Sequence, residues 1–369
     1  MKRVLHVGKF YPPVPGGIER VVETLCRAGA GLVESRVLVM NTGPRTVEEE
    51  VDGIHVTRVG TIATAGSVSI APSFGSWLRA APADLIVLHE PNPWALVSYA
   101  ATRPAAPLII WYHSDVVRHP LQYGLFYAPI ARPAYRRAER FIVSSPPLGE
   151  RAAALAPYRD RVRVVPFGID PAAWAPDAGV RDRAAQITHE TGPFVLFAGR
   201  HVAYKGVDVL LRALVGTTTT VVIAGDGPER ATWQALAAEL GVAAQARFPG
   251  DVTDRELRAL MHAASALVLP SVTRAEAFGY VQLEAMTSGK PVISTDVASG
   301  VSWVNQHERT GLIVPAGQPA PLRAAIERLM GDAALRERLG QAGRERVARE
   351  FTMVKLRERL AALYREMGC

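Results

Sequence analysis

Cysteine is nearly absent: Cys26 and Cys369 are the only two in 369 residues. Neither stands in a Cys-x-x-Cys pair, so a disulfide framework and a zinc–thiolate cluster are excluded, and a reducing compartment is expected. Aromatic residues make up 7% of the chain, and no zinc finger or aromatic-basic repeat suggests nucleic acid as a partner. No apolar run approaches the roughly 18 residues that a membrane-spanning helix needs. The opening Met1-Lys-Arg-Val-Leu-His-Val-Gly8 is basic, but its apolar stretch is short and broken by His6. It reads as a first buried strand, not as a signal peptide.

What is present is ordinary for a globular protein, with 49% hydrophobic and 21% charged residues. At roughly 150 residues per domain, the length suggests two domains. The formal charge of +7 is carried mostly by arginine. It fits either a solvated arginine-rich surface or attraction to anions, such as nucleotide phosphates or an anionic membrane.

Short apolar runs such as Arg3–Val7, Leu85–His89, Leu108–Tyr112, Phe194–Ala198 and Ala266–Leu269 alternate with Ala/Leu/Glu/Arg-rich helical patterns. Such alternation indicates parallel sheets covered on both faces. The expected fold class is α/β with two Rossmann-like domains. Their expected extents are 1–175 and 193–350, with a linker at 176–192 of no strong period and a terminal helix at 351–369 that crosses back to the first domain. In open parallel sheets ligands bind beyond the carboxyl ends of the strands, so the segments after each strand hold the candidate sites.

After the first strand, Gly16 and Gly17 precede a helix, where backbone N–H groups can approach a phosphate. The spacing is not Gly-x-Gly-x-x-Gly, and a plain Pro/Gly loop is the alternative. After Leu108–Tyr112 stands His113-Ser-Asp115, either a histidine facing a crevice or one tucked into a capped helix start. Gly199-Arg-His-Val-Ala-Tyr-Lys-Gly206 places Arg200 and Lys205 in a loop before a helix. A guanidinium and an ammonium there can stabilise a diphosphate leaving group without a metal, or can simply be solvated. The P-loop pattern fails, since no Ser or Thr follows the lysine. Phe248-Pro-Gly-Asp-Val252 is a loop that could offer backbone groups to a planar base. Glu276 and Glu284 are eight residues apart, about 80° off a common helical face. They become neighbours along one ligand if Glu276 lies in a loop and Glu284 on a helix. The N–H groups of Phe278, Gly279 and Tyr280 then open that helix. The alternative is one helix with Glu284 capped or paired by an arginine.

Gly-Gly after the first strand, Gly-Arg-x-x-x-x-Lys-Gly, Gly225-Asp-Gly-Pro228 and Glu276-Ala-Phe-Gly-Tyr-Val-Gln-Leu-Glu284 occur in this order and spacing. The set resembles the family 4 retaining glycosyltransferases of GT-B fold, over nearly the whole chain. Trp111-Tyr-His-Ser-Asp115 and the basic Arg132, Arg136, Arg137 and Arg140 resemble members that build bacterial O-antigen or exopolysaccharide. The resemblance implies two Rossmann-like domains facing a central cleft, the first binding the acceptor and the second a nucleotide-sugar. It implies that Arg200 and Lys205 hold the donor diphosphate, that Glu276 meets the transferred sugar and that Glu284 binds the ribose. Phe278 and Gly279 would give amides to sugar and phosphate, Gly17 a phosphate contact and Val252 a base contact. His113 matches the family histidine near the reacting face. Glu276, His113, Arg200 and Lys205 are thus the expected catalytic set, with no metal and no cofactor.

The implied reaction is transfer of a hexose, mannose from GDP-mannose, to a glycan or polyprenyl-diphosphate-linked acceptor in cell-surface polysaccharide synthesis. Alternatives are a UDP-sugar donor, a sugar-nucleotide epimerase on the same scaffold, or a non-catalytic nucleotide-sugar binder. The expected location is cytoplasmic, peripheral at the inner face of the membrane, where the basic segment Arg132–Arg140 docks on anionic lipid or is merely solvated.

Overall fold

The computed structural model describes residues 1–65, 68–115 and 127–369. The chain divides into two compact units, Met1–Gly168 with Met353–Cys369, and Ile169–Thr352.

The first unit carries β1 (Arg3–Val7), β2 (Glu34–Met40), β3 (Val47–Val51), β4 (Ile54–Val59), β5 (Ala63–Ala65), β6 (Val68–Ile70), β7 (Leu85–Glu90), β8 (Leu108–Tyr112), β9 (Arg140–Val143) and β10 (Val162–Val164). Eight of these form one sheet in the order β10-β9-β8-β7-β1-β2-β4-β3, and β5 pairs with β6 apart from it. Within the large sheet every pairing is parallel except β3 against β4. The central strands β7 and β8 are buried at every position, because helices cover both faces. β3 is Val-Glu-Glu-Glu-Val, with no apolar alternation to reveal it; it lies at the sheet edge, where charge discourages pairing with other chains.

The helix Gly17–Gly29 buries Val21, Val22, Leu25 and Cys26, an i, i+4 stripe that faces the core. The terminal helix Met353–Glu366 belongs to the same unit. Glu366 receives Arg140 at 2.6 Å and Arg163 at 2.9 Å, and Arg357 donates to the carbonyl of Ala28 at 3.0 Å. Arg140 opens β9, so the basic segment 132–140 is not one element: its helix runs only over Ala128–Arg137. Arg137 is engaged as well, donating to the Pro104 carbonyl at 3.0 Å. Arg132 and Arg136 are exposed, one helical turn apart.

The second unit carries β11 (Phe194–Ala198), β12 (Thr220–Ala224), β13 (Ala246–Gly250), β14 (Ala266–Leu269), β15 (Val292–Asp296) and β16 (Gly311–Pro315). All neighbours pair in parallel, in the order β13-β12-β11-β14-β15-β16. Counted from β11 this is 3-2-1-4-5-6, the Rossmann order, whose direction of winding reverses between β11 and β14. Residues 176–192 contain the helix Ala178–Thr191. Asp177 caps it by accepting from the Val180 amide at 2.8 Å, and a narrow stripe of Val180, Ala184 and Ile187 is buried. Three buried positions in a polar helix give a weak period, which explains why composition alone suggested a linker. The Arg183 guanidinium grips Glu256 of the helix Asp254–Ala263, with its closest contact at 2.8 Å.

Candidate active site

The reversal point of the second sheet is where a parallel α/β unit leaves a crevice beyond its strands. Two loops meet there, one following β11 and one following β14. The first runs from Gly199 through a short 3-10 turn, Ala203–Lys205, into the helix Val207–Leu214. Gly206 joins turn and helix at φ 67°, and a Cβ there would lie 2.2 Å from the Pro270 carbonyl oxygen. Only glycine tolerates both the left-handed backbone and that approach. The amide of Val272 donates to the Tyr204 carbonyl at 2.8 Å and ties the two loops together.

This joint brings Lys205 onto Glu276, Nζ to Oε2 at 2.5 Å, with the two side chains only 12% and 10% exposed. Ser271 donates to the same carboxylate oxygen at 3.3 Å, and Ser299 donates to the Glu276 carbonyl at 2.6 Å. Thr295 in turn donates to the Ser271 carbonyl. Burial pulls the pKa of Lys205 down, but the adjacent carboxylate outweighs it and the net direction is up. The ammonium thus stays charged in a largely dry setting, where it acts on a neighbouring anion more strongly than in water.

Glu276 lies in the loop and Glu284 on the helix Val281–Thr287, and both are buried, at 8% and 3% exposure. Gly279 precedes the helix at φ 70°, where a Cβ would lie 2.6 Å from Leu269 and 2.7 Å from Gln282. The Gln282 side chain holds the turn by donating to the Phe278 carbonyl at 2.8 Å. Phe278 is buried and Tyr280 half-buried at the helix cap. Arg200 is exposed on the β11 loop, and Val252 is half-buried in the loop after β13.

In the first unit, Gly16 caps the helix Gly17–Gly29 and both glycines are exposed. The carboxylate of Glu19 folds back so closely that a Gly16 Cβ would lie 1.9 Å from it. A phosphate at this helix end would have to displace that group.

His113 is 6% exposed and is not alone. Its Nε2 lies 2.9 Å from His89 Nδ1, and His89 Nε2 lies 3.0 Å from His6 Nδ1. The rings are stacked, with neighbouring centroids 5.2 and 5.3 Å apart. Burial pushes His6 down to about 4 and His113 down to about 3. Beside His89 is Glu90, whose carboxylate accepts from Tyr135 at 2.6 Å and Tyr127 at 3.3 Å. Burial outweighs these bonds and pushes Glu90 up to about 7. Sequence reasoning missed His6, His89 and Glu90. The available signal was a polar residue near the carboxyl end of an otherwise apolar strand.

Two parallel α/β units, the second wound in Rossmann order with a buried cation–carboxylate pair at its reversal point, have the architecture of a GT-B glycosyltransferase. A crystal structure of Anabaena Alr3699/HepE in complex with UDP-glucose matches it with a TM-score of 0.82, covering 99% of this chain and 100% of that one at 19% identity, which shows the fold. Residues 181–346 match the family Glycosyl transferases group 1, and residues 16–168 match the Glycosyl transferase 4-like domain. The chain is 34% identical over 357 residues to the D-rhamnosyltransferase WbpZ of Pseudomonas aeruginosa, covering 95% of this chain and 92% of that protein. It is 29% identical over 369 residues to the O-antigen chain mannosyltransferase C of Escherichia coli, covering 98% of each. The chain belongs to the family 4 glycosyltransferases. No helix among the described residues is long and apolar enough to cross a membrane.

Proposed function

We propose that the protein is a retaining hexosyltransferase that moves mannose from GDP-mannose to a glycan or polyprenyl-diphosphate-linked sugar in cell-surface polysaccharide synthesis. The observation that carries this reading is the buried Lys205–Glu276 pair at the reversal point of a Rossmann-ordered sheet. Its support in donor and acceptor comes from full-length similarity to an O-antigen chain mannosyltransferase and a D-rhamnosyltransferase.

In this reading residues 193–350 bind the nucleotide-sugar and residues 1–175 the acceptor. Glu284 holds the ribose, Val252 contacts the base, and Arg200 and Lys205 hold the diphosphate. Amides of Phe278, Gly279 and Tyr280 hold sugar and phosphate, Glu276 and His113 meet sugar hydroxyls, and the Gly16–Gly17 backbone adds a phosphate contact once Glu19 moves aside. As the bond from sugar C1 to the diphosphate breaks, the developing negative charge falls on Arg200 and Lys205. The acceptor oxygen bonds to C1 on the same face, and its proton passes to the departing diphosphate oxygen, which gives retention without a protein nucleophile. The protein works on the cytoplasmic side, with exposed Arg132 and Arg136 against anionic lipid.

A thermal-shift series with GDP, UDP and ADP tests the donor. GDP is expected to raise the melting temperature most, because binding to the native state alone stabilises it by mass action. A larger shift with UDP would replace GDP by UDP, the alternative suggested by the UDP-glucose in the Anabaena structure. No shift with any of the three would defeat the reading.

A further inference from the structure

Three imidazoles in series carry a constraint that one does not. Both contacts are Nδ1-to-Nε2 pairs, His6 to His89 and His89 to His113. A hydrogen bond between two ring nitrogens holds one proton, and a neutral imidazole supplies one. Three neutral rings therefore place two protons in the bonds and one at an end, either on His6 Nε2 or on His113 Nδ1. His6 Nε2 is buried and has no partner among the described residues. An orphaned buried N–H is rarer in folded proteins than an unfilled acceptor, so the third proton belongs at the His113 end.

The surroundings agree. Burial, reinforced by its two histidine neighbours, also holds His89 well below the usual imidazole range, so none of the three rings is charged near neutrality. Trp111 and Phe167 stack near His113, with centroids 6.3 and 6.2 Å away, and restrict its ring plane. Four of the six ring nitrogens are spent on one another, and no group of three His, Cys, Asp or Glu among the described residues is placed to hold a metal ion. Nor does the series lead a proton anywhere among the described residues, since it ends at the buried His6 Nε2 with no acceptor beyond.

We propose that His6 and His89 are positioning residues that lock His113 into the neutral tautomer with its proton on Nδ1. His113 thereby becomes a fixed N–H donor to an oxygen of the transferred sugar. The second statement rests on the preceding reading that His113 meets that sugar; the first does not.

Side-chain nitrogen-15 NMR of the full-length protein labelled at histidine reads the tautomers without any substrate. All three rings are expected to carry the proton on Nδ1, and a His113 protonated on Nε2 overturns the proposal. His89→Phe keeps a stacked ring but removes both bonds. It is expected to give a mixture of His113 tautomers and to lower kcat/KM for the sugar donor about 10- to 100-fold. That range is what losing an orienting partner costs a metal-bound imidazole, and it sets the scale for a ring held by the same kind of hydrogen bond. Affinity for the free nucleoside diphosphate should be unchanged, which a folding defect would not leave intact. His6→Asn retains an N–H where Nδ1 lies and should keep turnover, whereas His6→Leu should lose it to the extent that His89→Phe does. Unaltered kcat/KM in His89→Phe, or equal turnover in the two His6 variants, overturns the proposal. A wild-type protein that turns over no nucleotide-sugar defeats the preceding reading instead, and the tautomer measurement still decides this one.

Discussion

Lys205→Ala is expected to lower kcat/KM for the nucleotide-sugar about 100- to 1000-fold, some 2.7–4 kcal/mol of transition-state stabilisation. The ammonium is only 12% exposed and lies on the loop at the reversal point of the sheet, so water replaces it poorly. The same variant should also lose stability, by about 3–5 kcal/mol, because Glu276 is left as a buried charge with no cation. The two losses separate in the double variant Lys205→Ala/Glu276→Gln. There the buried charge is gone and much of the stability returns, but turnover does not. Steady-state kinetics and urea melts of the wild type and these two variants check this. If Lys205→Ala retains full kcat/KM, the lysine is a structural ion-pair member and nothing more.

Glu276→Gln should lower kcat about 100-fold while leaving nucleotide affinity nearly intact, since its carboxylate faces the sugar rather than the nucleotide in this account. Glu284→Gln should do the reverse and mainly weaken nucleotide binding. Glu276→Gln also changes the pH response, and the sign follows from the pair. In the wild type the carboxylate raises Lys205 against the opposing effect of burial. Without it burial, the largest single influence, is opposed only by neighbouring Tyr204, so the lysine pKa falls and a growing fraction becomes neutral as pH rises. Residual activity of Glu276→Gln should therefore fall between neutral and alkaline pH, where the wild type holds steady. Parallel pH profiles of kcat would show it, and superimposable profiles would remove Glu276 as the partner that keeps Lys205 charged.

Much of the architecture was legible because apolar strands and amphipathic helices differ in period. The helix Val207–Leu214 and the alternation of parallel strands are written in residue type alone. β3 was not legible, because an exposed edge strand of three glutamates has no buried face to impose a pattern. A strand starting at Arg140 is legible in its apolar run and matches β9. The pairing of Arg140 with Glu366, which takes it out of the basic segment 132–140, is not, because neighbouring arginines look alike until a partner is placed beside one.

The candidate site shows the same limit. Gly206, Lys205, Glu276 and Glu284 stand out in the sequence, yet Lys205 and Glu276 were read as two ligand contacts and not as partners 71 residues apart. The histidine series depends on β1, β7 and β8 lying side by side, with partners 83 and 24 residues apart. Local spacing carries no information about such contacts, which only sheet order creates. The two carboxylates also prove to be buried, so the charge on Glu276 is tolerated because Lys205 and Ser271 accompany it.

The most direct test is turnover by the purified protein given GDP-mannose and a bacterial lipid extract as the source of acceptors, with release of GDP and the anomeric proton of the product followed by NMR. The account predicts stoichiometric GDP release and an α-linked mannosyl product, the configuration of the donor retained. A β-linked product, or no nucleotide released from GDP-, UDP- or ADP-sugars with any acceptor fraction, would contradict it.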